Sequence, residues 1–126
     1  MSNKCKITIK DIEIIIKLLD TKTSQKIWDK LPYQSTIKKW GKEIYFEIDV
    51  NADLEKNSKK IITSGEIVFW PAGKCIAIGY GRTPISISNE IRLADNCNVW
   101  GITNSDLNNL DYLNDEEEIF ITKEYG

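Results

Sequence analysis

Histidine is absent from this chain of 126 residues. The absence excludes serine–histidine and cysteine–histidine nucleophile pairs, most zinc sites and the commonest general base near neutral pH. Long hydrophobic runs are missing too, since no stretch approaches the ~20 apolar residues that span a bilayer. The opening residues 1–16 alternate apolar side chains with charges, unlike the core of a signal peptide. The sequence therefore predicts a soluble, cytoplasmic protein with neither a metal nor a membrane partner.

Cysteine is scarce, and the three cysteines are an odd number. Cys5, Cys75 and Cys97 all lie in strand-like runs, which favours buried, free thiols over disulfides or a catalytic thiol. The net charge of −2 offers no basic field that would attract nucleic acid. No nucleic-acid partner is expected.

Two nucleotide-binding patterns are incomplete in this sequence. A phosphate loop requires Ser or Thr after Gly73-Lys74, but Cys75 stands there. A dinucleotide fingerprint beginning at Gly79 and Gly81 fails because Pro84 occupies the third glycine position. No cofactor is expected.

Short apolar runs of strand length recur along the chain and are separated by turn residues. Their β-branched composition and period-two alternation are typical of strands, and no βαβ rhythm appears. The sequence thus predicts one mainly β domain over 1–126, either a sandwich or a closed antiparallel barrel of about eight short strands with one or two short helices. The barrel is favoured because closure removes sheet edges. The predicted strands are 5–10, 12–19, 35–40, 43–50, 66–70, 74–80, 97–103 and 118–124.

A short helix is predicted near 23–31. Thr21 or Thr23 can cap it, and Pro32 ends it. A second helical turn is predicted within 104–113. Such helices would close the open ends of a barrel.

Two polar segments are interpreted as connections between strands. Residues 51–60 are charged and predicted to be exposed, and 81–96 form a longer connection. Within the latter, Arg92 is flanked by Ile91 and Leu93 and is interpreted as a strand-surface charge. The acidic run 115–118 is interpreted as a solvated turn, because four unpaired carboxylates are costly to bury.

Several blocks of the sequence, in order, resemble the small prokaryotic cyclophilin-like domains, compact barrels of unassigned function. The resemblance runs from about Ile7 to Ile102. It implies an eight-stranded barrel similar to the cyclophilins, which are peptidyl-prolyl isomerases. It does not imply their activity, because cyclophilins bind proline peptides through arginine, phenylalanine, glutamine, tryptophan and histidine side chains whose motifs have no counterpart here. The blocks are LLDTKTSQKIWDKLP, WGKEIYF, GEIVFWPAGK, IGYGRTPIS, EIRLA and CNVWGI.

Five residues are candidate ligand contacts at a predicted barrel mouth: Trp70, Tyr80, Arg82, Gly79 and Gly81. Arg82 would supply a charged donor, Trp70 and Tyr80 apolar walls, and the two glycines close backbone approach. In the alternative interpretation the glycines serve strand corners and the aromatic side chains pack.

For Arg82, the alternative is an ion pair with Glu90 or Glu66 that pins the 81–96 connection. Acid–base work would need carboxylates, and Glu43, Glu47, Glu66 and Glu90 are available, but the spacing selects no pair. No catalytic residue is therefore assigned.

The favoured function is a non-enzymatic module that binds a small molecule, in particular a small anion, or an extended peptide. One alternative is a weak peptidyl-prolyl isomerase or another enzyme on the same fold. Another is a self-associating scaffold whose exposed aromatic residues form a subunit interface, which leaves a homo-oligomer open.

Overall fold

Ten strands, one α-helix and one 3-10 helix are formed by residues 3–125, the part of the chain that the computed structural model describes. The predicted mainly β architecture is confirmed, with ten strands where about eight were expected. The 3-10 helix spans Asn108–Tyr112, and no helix in the described part is both long and apolar enough to cross a bilayer. The other elements are β1 (Lys4–Ile9), β2 (Ile12–Leu18), α1 (Lys22–Lys30), β3 (Tyr33–Thr36), β4 (Lys38–Lys39), β5 (Glu43–Glu47), β6 (Lys59–Ile62), β7 (Glu66–Trp70), β8 (Cys75–Gly79), β9 (Ile91–Ile102) and β10 (Glu118–Glu124).

The strands form a nearly closed antiparallel barrel in the order β3-β10-β1-β2-β9-β7-β8-β5-β4. The two end strands, β3 and β4, are consecutive in the chain and separated by Ile37 alone. The Ile37 N–H donates to the Glu117 carbonyl (3.0 Å), and its carbonyl accepts from the Glu116 N–H (2.8 Å). The sheet thus returns to its starting point, and the predicted barrel is confirmed.

The helix α1 forms as its sequence predicts. Thr21 is extended, and its hydroxyl oxygen accepts a hydrogen bond from the Ser24 N–H at 3.0 Å, which caps an otherwise unpaired donor. The helix ends at Lys30, before Pro32. Ile27 is fully buried in the barrel core, so the helix is held by packing as well as by its cap.

Alternation along the strands creates two apolar clusters on the two faces of one sheet. The inner cluster fills the barrel, and its largest fully buried side chains include Trp100, Phe46 and Phe69. The outer cluster lies against the other face of β7, β8 and β9. It consists of Ile62, Val68, Ala77, Ile91, Leu93, Cys97 and Val99.

The prediction that 51–60 and 81–96 are connections was wrong at their C-terminal ends, although Arg92 does lie on a strand, as expected. Lys59 and Lys60 begin β6, and β9 begins at Ile91. Strand β6 pairs with the first half of β9, and together they cover the outer face of the barrel sheet. The first three residues of β9 alternate, with Ile91 and Leu93 buried on either side of half-buried Arg92. Polar neighbours mask this short pattern, and tertiary pairing overrides the weak local preference.

Candidate functional site

A cavity of about 270 Å³ lies on the outer face of the barrel, between β5, β7 and β8 on one side and residues 93–97 of β9 on the other. We call it the outer pocket. Its lining is mostly apolar, with three aromatic side chains, two thiols and two carboxyl groups. The lining residues are Trp40, Glu43, Tyr45, Trp70, Cys75, Ala77, Leu93, Ala94, Asp95 and Cys97.

Strand β5 supplies one wall of the outer pocket through its alternation. Ile44 and Phe46 belong to the inner cluster, so Glu43 and Tyr45 lie on the outer face. Tyr45 is paired across the sheet with Ala77 of β8. The small side chain opposite Tyr45 leaves room for the cavity.

Trp70 forms a second wall, and its ring is held from two sides. Its indole Nε1–H donates to Asp95 Oδ2 at 3.2 Å. The ring also lies directly on Gly73, where an added Cβ would approach a ring carbon to 2.3 Å. Hydrogen bonds from the Asn96 backbone N–H and from the Trp70 indole hold the pKa of Asp95 below its usual range. Asp95 therefore carries a negative charge near the Trp70 wall.

Glu43 is the buried polar group of the outer pocket. It is 6% exposed, and its Oε1 accepts no hydrogen bond from any residue within 3–125. Its backbone is fixed, because the Glu43 carbonyl accepts from the Trp40 N–H at 2.9 Å. Burial raises the pKa of the Glu43 carboxyl to about 7. Near neutral pH the carboxyl is therefore close to its titration midpoint.

The two thiols of the pocket are free and buried, as is Cys5, which confirms the prediction of buried free cysteines. Burial, followed by the carboxylates of Glu47 and Glu43, raises the pKa of Cys75 to about 11. Burial and then Glu43 raise the pKa of Cys97 to about 12. Both thiols are protonated at neutral pH and are poor nucleophiles.

Of the five sequence-predicted site residues, Trp70 is the one that lines the outer pocket. Tyr80 belongs to the inner cluster, and its hydroxyl donates to Asp111 Oδ1 at 3.2 Å. Burial first, and then Asp111, raise the pKa of Tyr80. The structure therefore does not bring Trp70 and Tyr80 together in one cavity.

Arg82 is exposed, and its guanidinium donates to the backbone carbonyls of Ser86 (3.2 Å) and Ser88. Neither predicted ion pair forms, because Glu90 pairs with Arg92 and Glu66 pairs with Lys59. The arginine therefore stabilises its own loop through hydrogen bonds to main-chain carbonyls. Its role toward a ligand stays a prediction.

Gly79 and Gly81 contact side chains of the protein itself. A Cβ on Gly79 would lie 2.6 Å from Ile91 Cγ2, and one on Gly81 would lie 2.6 Å from Lys42 Cδ. Gly79 thus lets β9 pack closely over β8. A ligand role for the two glycines likewise stays a prediction.

Glu43 is one of the four carboxylates that the sequence makes available, and no feature of the sequence selects it. The selection depends on the first half of β9, whose residues Leu93 to Asp95 help to enclose the outer face. The alternation of Ile91 and Leu93 around Arg92 was the available signal for that cover. Across residues 3–125, no cluster of three or more Cys, Asp or Glu side chains forms a candidate metal site.

Comparison with known proteins places the chain in a family. A family model described as "Cyclophilin-like" matches residues 3–122. The solution structure of a hypothetical protein from Archaeoglobus fulgidus is similar, with 32% sequence identity and a TM-score of 0.84 over 98% of this chain and 95% of that one. Among curated proteins, no sequence matches. The chain belongs to the cyclophilin-like family.

Proposed function

We propose that this protein is a small-molecule binding module and that the outer pocket is its binding site. The observation that carries the proposal is Glu43, a buried carboxyl with an unpartnered oxygen inside an aromatic cavity. A carboxyl group placed away from water without hydrogen bonds costs free energy of the order of 1–3 kcal/mol or more. A ligand that donates a hydrogen bond to Oε1 would recover part of this cost.

The composition of the cavity also supports binding. Sites for small molecules combine mostly apolar and aromatic walls with a few polar groups, in volumes of roughly 300–1,000 Å³. The outer pocket has this composition at about 270 Å³. Its size therefore fits a compact ligand with about one ring, and not an extended peptide.

The chemistry favours binding over catalysis. The two thiols are protonated near neutral pH, and their raised pKa values make them poor nucleophiles. Asp95 accepts a hydrogen bond from the Trp70 indole. These features leave Glu43 as the titrating group of the outer pocket, with no oriented acid–base pair around it.

One observation favours an enzyme as a second candidate. A carboxyl with a pKa of about 7, as burial gives Glu43, has the property that a general base needs. Turnover of any ligand found by screening, followed by mass spectrometry, would separate this candidate from a binding module. A protease-coupled assay on a proline tetrapeptide, with a cyclophilin as positive control, is expected to show no robust isomerase activity.

The experiment that tests the proposal is a thermal-shift screen of small metabolites, followed by calorimetric titration of each hit. Trp70→Phe removes the indole donor and part of one wall. Trp28→Phe serves as the matched control, because Trp28 lies on α1, outside the outer pocket, under Lys123 Nζ at 4.8 Å. We expect Trp70→Phe to weaken hits about tenfold and Trp28→Phe to leave their affinity unchanged.

Two results would overturn the proposal. One is a screen in which no compound of this size raises the melting temperature. The other is a set of hits whose affinity responds to Trp28→Phe and not to Trp70→Phe, because their site would then lie elsewhere.

A further inference from the structure

We propose that the outer pocket selects a protonated organic amine, whose N–H donates to Glu43 Oε1 and whose carbon skeleton contacts the aromatic walls. This inference rests on the proposed function and specifies its ligand class. It departs from the anion expected at Arg82.

The charges of the pocket point to a cation. The lining contains two carboxyl groups, those of Glu43 and Asp95, and no lysine or arginine is among the described residues that form its walls. Lys60, which is not part of the lining, contributes through its charge to the lowered pKa of Asp95. An anionic ligand would therefore meet carboxylates without a compensating cation in the lining, which is unfavourable between mostly apolar walls.

The aromatic side chains point the same way. Trp40, Tyr45 and Trp70 contribute three π systems to one small cavity. The faces of aromatic rings attract cations, most strongly in tryptophan, and the attraction is stronger when the cation is desolvated. Rings combined with a carboxyl are suited to an ammonium group that carries apolar substituents.

Glu43 narrows the class of cation. Its Oε1 lacks a donor within the described chain, and a quaternary ammonium has no N–H to give. A primary, secondary or tertiary ammonium donates a charge-assisted hydrogen bond, which is roughly twice as strong as a neutral one. The cavity of about 270 Å³ accommodates such a group with one ring or a short alkyl chain.

A protonated Glu43 that donates to a carbonyl ligand is the competing arrangement, and it predicts the opposite dependence on pH. Between about pH 5.5 and pH 8, Cys75 and Cys97 stay protonated because their pKa values are raised, and Asp95 stays charged because its pKa is lowered. Tyr45 is the remaining titratable side chain of the lining. Glu43, with a pKa of about 7, is the group that changes charge in this interval.

The test uses three probes that share a phenyl ring: benzylamine as the ammonium, benzyl alcohol as the neutral isostere and benzoate as the anion. Affinities are measured calorimetrically with the full chain at about pH 8. We expect the ammonium to bind at least tenfold more tightly than the alcohol, and the alcohol more tightly than benzoate. The preference for the ammonium should fall several-fold at about pH 5.5.

Two variants assign the preference to one carboxyl. Glu43→Gln should reduce the preference for the ammonium over the alcohol to less than about threefold. Glu47→Gln is the matched control, since Glu47 is an exposed carboxylate on the outer face of the same strand, outside the lining. This control should leave the preference unchanged. Circular dichroism checks that both variants fold, and the pH series on the unmodified chain provides the same test without any variant.

The outcomes separate this inference from the proposed function. Equal or tighter binding of the alcohol or benzoate overturns the amine inference and leaves a small-molecule site in place. Binding of the ammonium that tightens at low pH overturns it as well. If none of the three probes binds at millimolar concentration, the inference fails, and the metabolite screen decides the proposed function separately.

Discussion

The inner and outer faces of β5 are built from adjacent residues, yet they are filled differently. On the inner face, Ile44 and Phe46 are at most 1% exposed and pack into the barrel core. On the outer face, Glu43 and Tyr45 line a cavity. The strand is the same on both sides, so the difference comes from what covers each face. Inside, the barrel packs on itself, whereas the outer face of β5 is bordered by residues 93–97 of β9.

The two faces also differ in the kind of unpartnered polar group that they bury, and only one of these groups is placed to bind a ligand. The inner face also holds an unpartnered polar atom, since the Trp100 Nε1–H donates to no acceptor among the described residues. That atom is an uncharged donor on a large apolar ring that is fully buried in the core. Glu43 is an ionisable group, so its burial costs more free energy than that of the indole. Its carboxyl also borders a cavity, where a ligand can reach it.

The largest expected effect is truncation of the inner face. Phe46→Ala should lower the free energy of unfolding by about 3–5 kcal/mol, because the closed core collapses only partly around the void. Tyr45→Ala is the matched change on the outer face and should cost less, since its side chain already borders a cavity. Chemical denaturation of both variants measures the difference. Equal losses would mean that the two faces are equally well packed.

The next effect is the pH dependence that Glu43 imposes. Its pKa of about 7 in the folded state lies above the ordinary value of 4.5. Between these values the folded protein binds more protons than the unfolded chain, so the free energy of unfolding falls as pH rises from about 4.5 to 7. The loss should reach roughly 2–3 kcal/mol, since one pH unit of difference corresponds to about 1.4 kcal/mol.

Glu43→Gln should flatten this pH dependence, and denaturation curves at about pH 5 and pH 8 measure it. Carboxyls with lowered pKa, such as Asp95, release their stabilisation at lower pH and do not obscure the interval. Glu47→Gln is the control and should retain the slope of the unmodified chain. A slope that persists in Glu43→Gln would show that another group is responsible.

A smaller effect is expected at Gly73. The added methyl group in Gly73→Ala would lie 2.3 Å from the Trp70 ring, so the ring must move, at a cost of about 1–2 kcal/mol. Gly81→Ala is the control, because its nearest contact is the flexible side chain of Lys42. We expect Gly73→Ala to shift the tryptophan fluorescence spectrum and to weaken ligands of the outer pocket. Unchanged fluorescence would place the Trp70 ring elsewhere.

Much of the barrel was predictable because its strands carry their own pattern. In β1 and β5 inward-facing apolar side chains alternate with more polar ones, and Thr21 provides a local cap signal for α1. Such features depend on neighbours in sequence. The outer layer does not, since β6 has only Ile61 and Ile62 after two lysines. Its pairing with β9 is long-range and contains a register shift between Lys59 and Ile61.

The candidate site was less predictable for the same reason. Trp70 is distinguished by its place before Pro71. Glu43, in contrast, differs in no local feature from Glu47, which lies at the other end of the same short strand. Burial by a distant segment distinguishes the two carboxyls: β9 closes over Glu43, while Glu47 stays exposed. No pattern within β5 encodes that cover.

The smallest expected effect concerns Arg82, where two interpretations still differ. Its guanidinium donates to the carbonyls of Ser86 and Ser88 at an exposed position. Arg82→Ala should therefore lower the free energy of unfolding by only about 0.5–1 kcal/mol, which is the scale of the net contribution of an intramolecular hydrogen bond to stability. Because Arg82 does not line the outer pocket, the affinity of a ligand bound there should be unchanged. Calorimetry with phosphate as an anionic probe decides the remaining question, since a tenfold loss of phosphate affinity in Arg82→Ala would restore the anion site predicted from the sequence.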